Sequence, residues 1–317
     1  MKLGMKKFLL VVAIILACAL YLTYHTYGNF AFAWEIRGKR LIAFLLVGIA
    51  TSFSTISFQT LTQNRLLTPN ILGLDSLYVL VQTMLVFFLG GDRVLGNESI
   101  GQFLGNILLM VGGSVLLAHF FLRKSHNNLF LLLMIGMILG TFFHNISSFL
   151  QVVMDPNEFS LLQGKLFASF GNVNSKYLGI AALLIFVMCG FLWYLSPTLD
   201  VLHLGNHQAI NLGVKLDTIQ FLVLLAVSTL VGVATALVGP TTFLGFIVAN
   251  SCYQFMQTFR HKELFFGGSL LAILLLVLGQ FLVEHVFKLN TTLSVVIEFA
   301  GGCYFVGRLL KERSSAN

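Results

Sequence analysis

Residues 217–237 read DTIQFLVLLAVSTLVGVATAL, a run of 21 residues whose only charged side chain, Asp217, stands at its first position. As an α-helix, such a run is about 30 Å long, which is the thickness of the hydrocarbon core of a bilayer. Helices in the cores of soluble proteins do not need so long an uninterrupted apolar stretch. The sequence therefore predicts a membrane-spanning helix at this position.

Nine further apolar runs lie along the chain, so the sequence predicts about ten transmembrane helices. The expected spans are 8–24, 41–62, 72–90, 101–122, 128–150, 178–195, 217–237, 243–259, 264–286 and 292–309. The composition agrees, because 57% of the 317 residues are hydrophobic, 10% are charged, and the mean hydropathy is +0.89. Soluble domains carry about 25% charged residues. We therefore expect an all-α integral membrane protein that forms a single transmembrane domain over residues 1–317.

The distribution of basic residues predicts the orientation of the chain in the membrane. The basic segment 1–7 and the apolar run that follows it resemble a signal peptide, but the run is long enough to span, so we expect an uncleaved first helix. With a cytoplasmic N-terminus, twelve of the 19 Lys and Arg residues fall on the cytoplasmic side and seven on the other. This excess predicts that both termini lie in the cytoplasm.

Several classes of function are disfavoured by the sequence. The net charge of +7 comes from scattered basic residues rather than from one cluster, which argues against nucleic-acid binding. The chain contains neither a GxxxxGK[ST] phosphate loop nor a GxSxG nucleophile elbow, so we expect neither ATP binding nor hydrolase chemistry. His203 and His207 share a helical face, but with only Asp200 nearby we favour surface contacts over a metal site. The sequence predicts no metal or cofactor.

Two predicted connections are longer than a turn. Segment 151–176 contains Asp155 and Pro156 followed by spaced apolar residues, which predicts a short amphipathic helix at the membrane interface or re-entering the pore mouth. Segment 196–216 is divided by Gly205 and Gly213, which predicts short helical pieces on the cytoplasmic side. Its residues Leu199, Leu202, Ala209 and Leu212 are expected to form one apolar side that docks against another surface.

A few polar and small residues inside the spans are candidates for function or packing. Glu298 is costly against lipid, so it is expected to line a path or to pair with another group, and these two possibilities are equally open. Gln59 and Gln63 form a polar stripe that either lines a path or contacts a neighbouring helix. The pairs Gly101 with Gly105 and Gly136 with Gly140 predict close helix contacts. Glu284 and His285 are expected near the interface.

Four sequence blocks occur in an order that matches a known family. They are an Arg-x-x-Arg motif at 37–41, a run of Leu-Val-Gly, Gln, Asn, Pro and Leu-Gly over 46–73, the block LGNHQAINLG at 204–213, and Gly-Pro followed by FLGFIV over 239–248. Taken together they resemble the permeases of iron-siderophore and vitamin B12 ATP-binding-cassette (ABC) importers. Segment 68–78 resembles a branch that serves catechol-type siderophores of the petrobactin and anguibactin sort.

The chain departs from the pattern of this family at several positions. Arg65 stands where the family has Pro, Ala249 and Asn250 stand where it has Pro-His, and Tyr253 stands where it has Arg. In the ninth span, Gln280 replaces an Asp. The departures leave the identity of the transported siderophore open.

The resemblance implies a type II ABC importer permease fold in the bacterial cytoplasmic (inner) membrane. It implies a ferric siderophore as substrate and three protein partners: a cytoplasmic ATPase dimer, an extracytoplasmic substrate-binding protein and a second permease subunit. In this branch the second subunit is usually a paralogue, although a homodimer stays open. Two classes of protein compete with this interpretation, namely an ion-coupled secondary transporter and a membrane-embedded enzyme.

The resemblance also assigns residues to these contacts. Arg37 and Arg40 are expected to meet acidic residues on the binding protein, and the alternative is that they anchor the helix at the interface. Residues 196–216 are expected to be the cytoplasmic coupling segment. The residues expected to seat in the ATPase are Leu204, Gly205, His207, Ala209, Leu212 and Gly213.

Overall fold

The computed structural model describes residues 3–24, 30–91, 94, 100–124, 129–166, 170, 171, 173, 175–288 and 291–316, and in these residues it contains helices and turns without a β-strand. A 3-10 turn, Pro69–Leu72, precedes the third helix. The α-helices are α1 (Leu3–Thr23), α2 (Phe30–Thr62), α3 (Leu74–Leu89), α4 (Ile100–Lys124), α5 (Leu129–Val153), α6 (Pro156–Leu166), α7 (Ser175–Tyr194), α8 (Ser196–Leu202), α9 (Asn206–Asn211), α10 (Leu216–Val238), α11 (Leu244–Met256), α12 (His261–His285) and α13 (Leu293–Ala316).

Each of the ten predicted spans coincides with one of these helices, which confirms the all-α membrane class. Within the described residues, six helices are long and apolar enough to cross a bilayer by length and composition, namely those in α1, α2, α5, α7, α10 and α12. The short helix α6 occupies the predicted connection 151–176, and α8 and α9 occupy 196–216. The local signals of Gly and Pro were therefore sufficient to place these short elements.

Two predicted boundaries were wrong. Helix α2 begins at Phe30 rather than at residue 41, because Lys and Arg are good helix formers and their long side chains keep the charge near water. Helix α11 covers only Leu244–Met256 rather than 243–259. The segment that starts with Gly239 and Pro240 is not helical, and Gln257 takes a left-handed conformation (φ 53°) that ends the helix. At about 20 Å, α11 is shorter than the hydrocarbon core.

The core of the fold is α2, which packs against α7, α10, α11 and α12. Small residues allow α2 and α12 to approach closely. A Cβ atom on Gly48 would lie 3.2 Å from the backbone nitrogen of Ile273, and one on Gly268 would lie 2.9 Å from Cδ1 of Ile56. The two helices therefore lie with their backbones close together along much of their length.

The predicted contact at Gly136 and Gly140 is confirmed. A Cβ on Gly73, which has φ of 78°, would lie 2.9 Å from Cα of Gly140, and one on Gly136 would lie 2.9 Å from Cα of Leu72. The 3-10 turn thus rests directly on the backbone of α5. At Gly105 a Cβ would meet no described atom within 4 Å, so the predicted contact of Gly101 and Gly105 is not formed within the described part of this chain and stays a prediction.

Candidate functional site

Segment 196–216 connects two spans through two short helices. Pro197 lies in the first turn of α8, where a missing N–H does no harm. Gly205 (φ 108°) and Gly213 (φ 85°) take conformations that other residues rarely adopt, and they set the direction of the chain before and after α9. The two glycines therefore explain why the segment forms two helices rather than one.

The apolar residues of this segment point in two directions. Leu199, Leu202 and Ala209 are completely buried against the bundle, as their predicted apolar side requires. Leu212, predicted on the same side, is 64% exposed. The prediction failed for Leu212 because α9 ends at Asn211, so Leu212 lies beyond the helix whose periodicity places Ala209 on the bundle.

A group of exposed side chains covers the outer face of the segment. Leu204 is 57% exposed and Ile210 is 53% exposed, and His207 also faces out. We call Leu204, His207, Ile210 and Leu212 the outer face. Of the predicted coupling residues, Ala209 alone is buried, while Gly205 and Gly213 lie at the turns. Ile210 was missed by the sequence analysis, and its place beside the buried Ala209 on a helix was the signal that could have found it.

A groove of about 560 Å³ lies beside this outer face, between α9 and the start of α10. His207 and Ile210 line it on one side, and Lys215 and Asp217 line it on the other. The buried side chain of Gln220 also lines the groove. Its two polar atoms have no hydrogen-bond partner among the described residues. The segment therefore presents exposed apolar side chains next to a groove that is lined in part by polar residues.

The inner face of the segment is connected to α12 and α2 by hydrogen bonds that involve one histidine. His261, the first residue of α12, is completely buried. Oδ1 of Asp200 in α8 accepts a hydrogen bond from the backbone N–H of His261 (2.7 Å) and lies 2.6 Å from its Nδ1. Nε2 of His261 lies 2.7 Å from Oγ1 of Thr60 in α2. Asp200, His261 and Thr60 thus link α8, α12 and α2, and we call them the three-helix linkage.

Two pKa values in this region are perturbed. Burial raises the pKa of Asp200, but the two hydrogen bonds from His261 and the nearby charge of Arg260 outweigh it, so the pKa lies below its ordinary value. Burial lowers the pKa of His203, and the nearby His261 and Arg65 lower it further. Asp200 is therefore ionised and His203 neutral at neutral pH.

The two glutamines predicted as a polar stripe lie at the end of α2 next to this linkage. Nε2 of Gln59 donates to the carbonyl of Arg65 (2.7 Å). Nε2 of Gln63 donates to the carbonyl of Leu202 in α8 (2.7 Å) and to that of Thr60 (2.8 Å). Both side chains thus satisfy backbone carbonyl groups where the chain leaves the helix.

Three of the departures from the family pattern are in contact with one another. The guanidinium of Arg65 lies 4.6 Å from the centre of the Tyr253 ring, within the range of a cation–π interaction. Nδ2 of Asn250 donates to the carbonyl of Arg65 (3.1 Å). Arg65 is far in sequence from Asn250 and Tyr253, so the sequence alone did not reveal that the three positions form one cluster.

The predicted docking residues lie at the opposite end of α2. Nη1 of Arg37 donates to the carbonyls of Tyr21 (2.7 Å) and Tyr24 (2.8 Å), at the C-terminal end of α1. Nη1 of Arg40 donates to Oε1 of Glu284 in α12 (2.6 Å). Glu284 is therefore the partner in a partly buried ion pair at the end of α12.

Glu298 lies in the first half of α13 and is exposed on the surface of the isolated chain. Asp75, another carboxylate within the predicted spans, lies in the first turn of α3. Oδ2 of Asp75 accepts a hydrogen bond from Thr242 (3.3 Å), while its buried Oδ1 has no partner among the described residues. Asp75 was missed by the sequence analysis, because it stands at the edge of a predicted span.

No group of three or more His, Cys, Asp and Glu side chains in the described part of the chain is arranged to hold a metal ion. The four cysteines are free: Cys189 and Cys252 are buried, Cys18 is partly buried and Cys303 is exposed.

The FecCD transport family matches residues 5–311 of the chain. The chain belongs to the FecCD transport family. Among curated relatives, the petrobactin import system permease protein YclO of Bacillus subtilis is 44% identical, with 98% of each chain covered. The petrobactin import system permease protein FatC of Bacillus anthracis is 35% identical over 86% of this chain and 77% of that protein. The resemblance noted in the sequence is thus confirmed.

Solved structures agree with the fold of this FecCD member. An inward-facing metal-chelate type ABC transporter matches with a TM-score of 0.85 at 23% identity, covering 98% of this chain and 100% of that chain. PsaBC from Streptococcus pneumoniae matches with a TM-score of 0.60 at 16% identity, covering 89% of this chain and 94% of that chain. At these identities the matches establish the fold alone, and they confirm the predicted permease fold.

Proposed function

We propose that this FecCD protein is the membrane-spanning permease subunit of an ABC importer that carries a ferric siderophore across the bacterial inner membrane. The observation that carries the proposal is the segment 196–216, which fastens its inner face to the bundle and leaves an apolar outer face uncovered. A chain without a phosphate-binding loop needs a separate ATPase, and this segment is suited to receive it. The proposed orientation places the segment and both termini in the cytoplasm.

The ATPase contact is assigned to the outer face and the two glycine turns. Leu204 and Leu212 are the apolar anchors, and His207 adds a polar contact at the groove. Gly205 and Gly213 set the angle of α9, and Ala209 holds that helix on the bundle from behind. Apolar side chains next to a polar groove are typical of the centre of a protein interface.

The substrate proposed is a ferric catechol-type siderophore of the petrobactin class. The relatives named for petrobactin import support this choice, and so does segment 68–78, which forms the 3-10 turn and the start of α3. We propose that Glu298 faces the substrate path or the second permease subunit, because an exposed carboxylate in a membrane helix needs a neighbour other than lipid. The second subunit proposed is a paralogue.

The test of this function is ATP-dependent uptake in cells that lack this permease. These cells should recover uptake of a ⁵⁵Fe-labelled petrobactin-class chelate when the chain is restored together with its ATPase and binding protein. A ⁵⁵Fe-labelled hydroxamate chelate serves as the control substrate. Uptake that persists after the ATPase is inactivated would instead support an ion-coupled secondary transporter.

We further propose that Arg37 and Arg40 form the docking site for the binding protein. Both arginines already hold neighbouring helices, so charge reversal would disturb the fold as well as the docking. A sharper pair of variants is Arg40→Gln and Glu284→Gln, since each breaks the same ion pair but only the first removes the positive charge. Docking through Arg40 predicts weaker binding-protein affinity in Arg40→Gln and unchanged or stronger affinity in Glu284→Gln. Equal loss in both variants would contradict the docking role.

A further inference from the structure

Two side-chain contacts between described residues join the segment that carries the outer face to the ends of α2 and α12. Gln63 binds the last carbonyl of α8, and Asp200 binds His261. The second contact is the stronger, because it joins an ionised carboxylate to two donors of one residue. A movement of α8 must therefore either break this contact or move α12 with it.

His261 passes the same contact on to a second span. In its neutral form with a proton on Nδ1, His261 donates to Asp200 and its Nε2 accepts from the hydroxyl of Thr60. The ring is completely enclosed, and Phe265 and His203 pack edge-on against it at 5.8 and 6.1 Å between ring centres. A buried imidazole with both nitrogens occupied has one low-energy orientation, so it transmits a displacement rather than absorbing it.

The two spans joined by His261 form a stiff unit. Helices α2 and α12 pack closely at Gly48 and Gly268, and at their far ends they are joined by the ion pair of Arg40 with Glu284. They are thus held at both ends and along their length. A force applied to α8 acts on this pair as a whole.

We propose that the three-helix linkage, formed by Asp200, His261 and Thr60, is the connection through which movement of segment 196–216 drives the α2–α12 pair. The three side chains are positioning residues, because each acts through the next on the helices that carry them. The inference rests on the proposed function, because it assumes that an ATPase moves this segment. It adds the residues by which the movement enters the bundle.

The experiment compares transport with ATP hydrolysis in proteoliposomes that contain the whole importer with its binding protein. Asp200→Asn keeps the size of the side chain but loses the charge, and Thr60→Val keeps the shape but loses the hydroxyl. Both variants should assemble with the ATPase and hydrolyse ATP at close to the normal rate. The amount of chelate transported per ATP hydrolysed should fall about tenfold in Asp200→Asn, as expected for loss of a discrete coupling contact, and less in Thr60→Val.

The matched control is Asp155→Asn, an exposed carboxylate just before α6 whose Oδ1 accepts a hydrogen bond from the backbone N–H of Asn157. This variant should keep the normal ratio of transport to hydrolysis. A normal ratio in Asp200→Asn would overturn the proposal, and so would loss of the assembled complex in that variant, since the contact would then be structural. Absence of ATP-driven uptake by the unmodified complex would instead contradict the proposed function.

Discussion

The ion pair between Arg40 and Glu284 allows a quantitative prediction about the joint of α2 with α12. Oε1 of Glu284 accepts three hydrogen bonds, from Arg40 (2.6 Å), from Gln280 (2.9 Å) and from the hydroxyl of Tyr21 (3.0 Å). The side chain of Glu284 is 10% exposed and that of Arg40 is 21% exposed. The carboxylate is thus almost removed from water and depends on these donors for its solvation.

The substitution Arg40→Gln leaves this buried carboxylate without its counter-charge, and breaking such a pair costs about 3–5 kcal/mol of unfolding free energy. Glu284→Gln costs less, about 1–3 kcal/mol, because the more exposed guanidinium is able to turn towards water. In the double variant Arg40→Gln/Glu284→Gln neither charge is left unpaired. Its loss should therefore be smaller than the sum of the two single losses by about 2 kcal/mol.

The assay is a denaturant titration of each of the four members of the cycle, purified in detergent micelles. It gives the free energy of unfolding of each protein. Lys39→Gln is the control, because Lys39 pairs with Glu35 at 3.5 Å on the surface and such exposed pairs contribute well under 1 kcal/mol. Additive losses in the double variant would refute the reasoning, and so would a loss in Arg40→Gln no larger than that in Lys39→Gln.

Three further predictions follow from other parts of the structure. Gly140→Val places a side chain against the backbone of Gly73 and should lower stability by about 1–3 kcal/mol, whereas Gly105→Val should have little effect; thermal unfolding measures both. The pKa of His203 lies below its ordinary 6.5, so below pH 6.5 the unfolded chain takes up a proton that the folded chain does not. The free energy of unfolding should therefore decline as the pH falls. The variant His203→Gln, measured in parallel, should show a flatter dependence on pH. Leu212→Glu should weaken ATPase binding about tenfold in a pull-down while leaving the fold intact, because this side chain is 64% exposed.

The spans were predictable because membrane insertion imposes a strong local rule. A run of about 20 apolar residues is visible without any knowledge of its neighbours, and Gly205 and Gly213 marked the short helices equally locally. The start of α2 was not visible, since Arg37 and Arg40 break the apolar run although the helix continues through them. Hydropathy reports where a helix meets lipid rather than where it begins.

The candidate site was predictable only in part, for a different reason. The block 204–213 could be recognised from its own residues, but its attachment depends on contacts between distant positions. Asp200 and His261 are 61 residues apart, and Arg40 and Glu284 are 244 residues apart. No periodicity in one sequence encodes such pairs. Polar residues at the ends of spans were the available signal, and their partners required the fold.

Two polar contacts hold the two ends of α12. The linkage at His261 lies in its first turn and the ion pair at Glu284 lies in its last turn, so they act on opposite ends of one helix. Under the proposed orientation, one end faces the ATPase and the other faces the binding protein. A helix that is close-packed against α2 between two such joints is stiff, so a displacement at one end is felt at the other. Docking and nucleotide-driven movement would then act on the same α2–α12 pair, and weakening either joint should reduce the stimulation of ATP hydrolysis by the binding protein.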